Sequence, residues 1–218
     1  MNICLKIRRR RSGEVGLSEV KTFSSLNLPF GNISSVACSD RFTVFVEERK
    51  KKVYVCGYNK NGECGLSPDA EEIILQPKLI FDLDNDIGGY QGERIVEVCS
   101  GFNFFIIRTS HRLLFFGNNE HGQFPRELGE TWGLSFLRGQ ELNLYERVGR
   151  AVSDIKTLKC KYDRTCIIFK DGTALLFGGL LPDKTVNPFI DFKEEIDGFE
   201  ISEIGLGVDY ELLHGRFK

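Results

Sequence analysis

The sequence predicts an all-β chain of propeller-type repeats, about four blade-like units long, and so an incomplete or atypical propeller. Three observations predict it. A glycine phrase is spelled twice, as GEVGL at 13–17 and GECGL at 62–66. Four lines then share one register: ISSVACSDRFTVFV from Ile33, IVEVCSGFNFFIIR from Ile95, IKTLKCKYDRTCII from Ile155 and ISEIGLGVDYELLH from Ile201. A second set shares another: CLKIRRRRSGEVGL from Cys4, VYVCGYNKNGECGL from Val53, LLFFGNNEHGQFP from Leu113 and ALLFGGLLP from Ala174. Self-similarity over a few tens of residues marks a structural unit copied along the chain.

Each element follows from local chemistry. Every Ile line opens on an apolar residue, leaves two positions, places a second apolar residue, and passes a small or polar corner into an apolar run. That is strand, tight corner, strand. Each glycine line is a short apolar strand ended by Gly57, Gly117 or Gly178, with Gly62 and Gly122 closing the turn five residues later in the middle two copies. Asn59 and Asn119 suit the same turn geometry. KDGT at 170–173 is a hairpin signal. The units run over approximately 1–46, 47–108, 109–168 and 169–218 of a single repeat domain, each with room for about four short strands, the composition of a propeller blade. The stretches 67–94 and 125–154 break the pattern and read as irregular inserts, with a short helix within 136–147.

Bulk composition narrows the classes. Twenty-nine Lys+Arg against 31 Asp+Glu give a net charge of −2, which weighs against a nucleic-acid surface built on phosphate contacts. No run of 18 apolar residues predicts a membrane span. MNICLKIRRRRS places its charge after its apolar stretch, the reverse of a signal peptide. The seven cysteines then read as thiols of a reducing compartment, and the chain as intracellular, cytoplasmic or nuclear. Eighteen phenylalanines against one methionine and one tryptophan assign much of the core to phenylalanine.

The corners CGYNKNGECGL, FGNNEHGQF and VACSDRF resemble the regulator of chromosome condensation repeat family, whose repeat runs Trp-Gly, then Asn, then Gly-Gln-Leu-Gly, with a later Ala-Cys-Gly and a His. The resemblance covers nearly the whole chain and is most specific at 53–66 and 113–124. It implies a seven-bladed propeller as parent fold, and raises guanine-nucleotide exchange on a small GTPase as a function. The departures are specific. The Trp is replaced by Cys56, Phe116 and Phe177, and the His by Phe42, Phe104, Arg164 and Tyr210. Arg8 stands where the first unit needs glycine, and the fourth unit reads FGGLLPDK. Four units are too few for the family's ring. The chain is a fragment or reduced propeller, completes its ring with another chain, or closes as a smaller structure. CSGFNFFIIRTSHRLLFFGNN and FKDGTALLFGGLLP are also similar to the alpha-tubulin-suppressor branch, which implies an adaptor role in diphthamide synthesis or tRNA modification.

Candidate residues divide between surface and core. Lys6, Arg8, Arg9, Arg10 and Arg11 read as a nuclear-import signal or as an exposed corner. Cys38, Cys99 and Cys160 recur at nearly one repeat position, and no Cys/His spacing matches a zinc site, so they read as small buried residues and no metal is expected. The acidic run DLDNDIGG at 82–89 misplaces its glycine for a calcium loop and reads as a solvated loop. His111 and His121 read as exposed turn residues. No catalytic set is legible and no cofactor is expected. The second insert concentrates Trp132, Phe136, Arg138, Tyr145 and Arg147, and aromatics with arginine are what binding hot spots use. The sequence therefore predicts a non-enzymatic protein–protein interaction module whose partner is another protein, a small GTPase among the candidates.

Overall fold

The computed structural model describes residues 4–5, 24–25, 28, 30–67, 71–124, 135–179, 190–191, 198–207 and 211–217. Its strands are β1 (Cys4–Leu5), β2 (Ser24–Ser25), β3 (Ile33–Cys38), β4 (Phe42–Glu47), β5 (Lys52–Tyr58), β6 (Ile73–Asp82), β7 (Ile95–Ser100), β8 (Phe104–Thr109), β9 (Leu113–Asn118), β10 (Ser135–Glu141), β11 (Ile155–Lys161), β12 (Arg164–Phe169), β13 (Ala174–Gly178), β14 (Ile190–Asp191), β15 (Phe199–Leu206) and β16 (Glu211–Phe217). Among the described residues one helix, α1, spans Leu144–Val148, and a single 3-10 turn covers Val152–Asp154.

Strands β3 to β6, β7 to β10 and β11 to β14 form three four-stranded antiparallel meanders. At the two ends of the described chain lie two-stranded pairs, β1–β2 and β15–β16. The first strands β3, β7, β11 and β15 neighbour one another in turn, so they form the inner edge of the array, as in a propeller. Sheet and sequence repeat are out of phase. The segment 47–108 supplies β5 and β6 to one sheet, then β7 and β8 to the next.

The Ile-x-x-apolar spacing has a physical cause. Pairing slips by one residue after the first position of every Ile line, between Ile33 and Ser35, Ile95 and Glu97, Ile155 and Thr157, and Ile201 and Glu203. A one-residue bulge turns the strand's period of two into three at that point. It thereby puts Ile155 with Leu158, and Ile201 with Ile204, on one buried face.

The sheets stack face to face, and that stacking explains the phenylalanines. Phe105, Ile107, Leu114 and Phe116 face the first sheet, while Phe104, Ile106, Leu113 and Phe115 face the third. A strand buried on both faces needs no polar alternation, so FFII and LLFF read as continuous apolar runs. Phe105 stacks on Phe116 at 4.8 Å between centroids, and Phe104 on Phe115 at 5.3 Å.

The inserts are more regular than the sequence indicates. β6 occupies much of 67–94, and β10 occupies 135–141, each the outermost strand of its sheet. The helix expected within 136–147 is confined to α1, because Phe136 and Gln140 to Glu141 are paired with β9. α1 is capped by the Asn143 side chain, which accepts from the Glu146 N–H, and ends at Gly149 in the left-handed conformation.

Candidate interaction surface

Two sets of connections emerge from opposite ends of the strands. One holds the corners between first and second strands, with the glycine corners beside them. The other holds the turns 48–51, 109–112 and 170–173, with the connections 83–94 and 142–154. The first set is closed on itself and the second is not.

In the glycine corners each polar side chain replaces a backbone partner. Asn59 Oδ1 accepts from the Cys64 N–H, and its amide donates to the carbonyl of Leu66. Asn119 repeats the arrangement, accepting from the Phe124 N–H at 2.8 Å and donating to the Phe124 carbonyl at 2.9 Å. Both asparagines are fully buried. Glu63 accepts from the Asn61 N–H as Gln123 accepts from the His121 N–H. Gly57 and Gly117 lie at φ 122° and 99°, and a Cβ there would meet the carbonyl oxygens of Arg41 and Asn103 at 2.4 and 2.5 Å. Only glycine admits that approach.

The same corners tie neighbouring sheets together. Ser39 Oγ donates to the Phe102 carbonyl, and the Phe102 N–H donates to the Tyr162 carbonyl, linking three sheets in sequence. Arg41 lies over the rings of Tyr58 and Phe102. Asp163 receives Gln123 Nε2 at 3.2 Å and pairs with His121 Nδ1 at 2.8 Å. His121, expected as an exposed turn residue, is thus half-buried and engaged.

The opposite end presents apolar groups on a braced loop. Arg112 is buried and bridges two carboxylates, Glu93 through Nε and Nη2 at 2.9 Å and Asp86 through Nη2. Thr109 donates to Glu93 and accepts from the Arg112 N–H at 2.8 Å. Lys51 donates to the Glu93 carbonyl. Burial alone would raise the Glu93 carboxyl; the donors from Arg112, Thr109 and the Tyr90 N–H overcome it and hold Glu93 below its ordinary range. For Arg112 the two carboxylates overcome burial in the same way and raise it. The loop 83–94 is therefore clamped to the 109–112 turn.

On this clamp stand Ile87, fully exposed, and Tyr90, half-exposed and stacked on His111 at 4.8 Å. On the next connection along this end, α1 buries Leu144 and exposes Tyr145 at 72% and Arg147. Of the five residues picked out by composition, Tyr145 and Arg147 reach this surface. Phe136 and Arg138 lie in β10, Phe136 opposite Gly117. Trp132 lies outside the described residues, as do Lys6 and Arg8 to Arg11. Ile87 and Tyr90 were hidden in the sequence by the acidic run around them. The signal was an isoleucine and a tyrosine in a loop otherwise reading as solvated. Of that run's carboxylates, Asp82 is committed to Lys52 and Asn85, and Asp86 to Arg112.

The recurring cysteines are corrected. Cys38 is exposed and Cys99 and Cys160 are half-buried, on the first strands β3, β7 and β11 of their sheets, and Cys99 and Cys160 pack at the margin of the core between the second and third sheets. Among the described residues the buried thiols are Cys56, Cys64 and Cys166. Burial pushes Cys56 up to about 11, so it is an inert thiol at neutral pH. Among the described residues no helix is long and apolar enough to cross a membrane.

No protein-family model and no curated protein sequence matches the chain. Solved structures do match. Human WBSCR16 aligns at 17% identity and a TM-score of 0.66, over 91% of this chain and 49% of that one. Yeast RCC1 (Prp20), in a structure with Kap60, aligns at 17% identity and 0.66, over 93% and 47%. Prp20p from Saccharomyces cerevisiae, in a structure described with its binding to Gsp1p and histones, aligns at 18% and 0.62, over 86% and 44%. The chain has the repeat fold of the regulator of chromosome condensation proteins and spans about half the length of the solved structures it matches.

Proposed function

We infer that the chain is a protein-binding module that engages its partner through the braced end of the second sheet, with Ile87, Tyr90, Tyr145 and Arg147 as the contact residues. One observation carries the reading: apolar side chains are held out in water by a loop that a buried arginine and two carboxylates fix in place. A pre-ordered apolar contact loses little freedom on binding, which is why such groups dominate interface energetics. The fold supports it, because repeat scaffolds place binding groups on connections. Trp132, Phe136 and Arg138 belong to the same insert as Tyr145 and remain part of the proposed contact set.

A second reading is favoured by one neighbour, since Prp20p is described with its binding to Gsp1p and histones. In that reading the partner is a small GTPase and the chain favours its nucleotide-free state. Affinity capture on the tagged chain, with EDTA and again with magnesium and GTP, separates the two. A partner held equally in both lanes, and lost with Ile87→Asp and Tyr145→Ala, supports the binding module. A GTPase held only in the EDTA lane supports exchange. Retention unchanged by both substitutions overturns the proposed surface.

A further inference from the structure

A cleft of about 450 Å³ opens at the braced end, between the 170–173 turn of the third sheet and the hairpin β15–β16. Sites for small ligands run to roughly 300–1,000 Å³. The floor of the cleft is backbone. The Ile201 N–H donates to the Gly172 carbonyl at 2.7 Å, and Gly172 and Gly215 add no side chain. Lys156 spans the gap, its Nζ donating to the Ser202 carbonyl at 3.2 Å. Ser202 Oγ lies 2.9 Å from both Nδ1 and the carbonyl oxygen of His214, which ties that ring to the wall.

The charges of the cleft do not balance. Its two carboxylates are each held by an arginine, Asp171 by Arg150 Nη1 at 2.6 Å and Glu200 by Arg216 Nε at 3.0 Å. Asp171 also accepts from the hydroxyl and the N–H of Thr173. Lys156 and Lys170 are exposed, and neither has a carboxylate partner among the described residues. Two ammonium charges therefore face one concave site, in a chain whose net charge is −2. Cations at the opposite end are engaged: Arg41 with Glu63 and two rings, Lys60 with Glu72, and Lys161 over Tyr162.

We propose that this cleft is a phosphate-monoester site, and that it takes a phosphoserine or phosphothreonine of the protein partner. Such a group carries about −1.5 to −2 charge at neutral pH. Two ammonium groups match that charge, whereas a carboxylate matches only one of them. Lysine binds phosphate as a point charge and needs no planar fork. Ser202 and His214 place a hydroxyl and a ring nitrogen beside the lysines. The cleft is larger than a phosphate alone, so it admits the residue that carries one. Arg150, which holds Asp171, belongs to the connection that exposes Tyr145 and Arg147, so the cleft adjoins the proposed contact surface. Assignment of the phosphate to a protein rests on the binding-module reading.

The test is an NMR titration of the isotope-labelled chain with four probes: a glycine–phosphoserine–glycine peptide, its serine and glutamate counterparts, and AMP. The phosphopeptide should shift the amide signals of Gly172, Ser202 and His214 saturably, and the serine peptide should leave them in place. It should bind about tenfold more tightly than the glutamate peptide, and weaken as salt screens the exposed lysines. Lys156→Gln with Lys170→Gln should weaken it by about tenfold or more. Unmoved signals from the first and second sheets would show that this variant is folded. Equal binding of the glutamate peptide, shifts that do not saturate, or a folded double variant that binds as the parent does overturns the site. AMP bound more tightly than the phosphopeptide overturns the assignment to a protein. No partner protein is present in this titration, so its failure leaves the capture result with Ile87→Asp standing, and a failed capture leaves the titration readable.

Discussion

Ile106 and Leu212 occupy one position in two copies of one repeat, and their surroundings share nothing. Ile106 lies in a four-stranded sheet with another sheet against each face. Leu212 lies in a two-stranded hairpin with one apolar face packed and the other in water. The repeat specifies which residues are apolar; the neighbouring sheet decides how much that apolarity stabilises. At about 25 cal/mol per Å² the same side chain stabilises the second sheet and contributes almost nothing on the hairpin.

The sharpest test of that contrast is to truncate a ring on each side. Phe116→Ala removes a buried ring stacked on Phe105 and should cost about 3–5 kcal/mol in urea unfolding. Phe217→Ala removes an exposed one and should fall within about 0.5 kcal/mol. Equal losses would show that the hairpin is covered. Next comes the clamp. Arg112→Met leaves Glu93 buried without its cation and should cost about 3 kcal/mol, the low end for such a pair, with faster amide exchange across 83–94. A smaller loss of about 1–2 kcal/mol is expected for Asn119→Ala, which removes two buried hydrogen bonds from the glycine corner.

The smallest effect is a pH dependence. The folded Glu93 carboxyl lies below its unfolded value, so its contribution is complete above the ordinary carboxylate range and is lost as pH falls through the folded value. Asp171 behaves in the same sense. Hydrogen bonds from Thr173 and the Arg150 guanidinium overcome its burial and hold it at about 2. Amide exchange in 83–94 should therefore quicken on acidification, while the 170–173 turn keeps its protection down to about pH 2. Protection in 83–94 that ignores pH would remove Glu93 from the clamp. Glu97 opposes this trend, since burial raises it beside Arg108.

Much of the fold was legible because it is repeated. Four copies of an Ile line and of a glycine line expose a strand–corner–strand unit even where single residues have drifted. β6 was not legible. Its sequence IILQPKLIFD lies on a sheet's outer edge with few buried positions, so no alternation was imposed on it. The surface was half legible. Tyr145 and Arg147 stand out by type, whereas Ile87 and Tyr90 emerge only once Arg112 is seen gripping the acidic loop between them and the sheet.

Residue pattern sets the strands, their corners, the bulge that gives Ile-x-x-apolar its spacing, and the phenylalanines that fill the middle sheets. These are short-range matters, governed by φ, by side-chain period and by residue volume. Packing between sheets sets the rest: that the sheets run out of phase with the repeat, that Cys38 is exposed while Cys56 is sealed, and that Leu212 is left in water where Ile106 is buried. Those depend on which sheet lies against which, and pairing between segments far apart in the chain leaves no local pattern in the residues that make it.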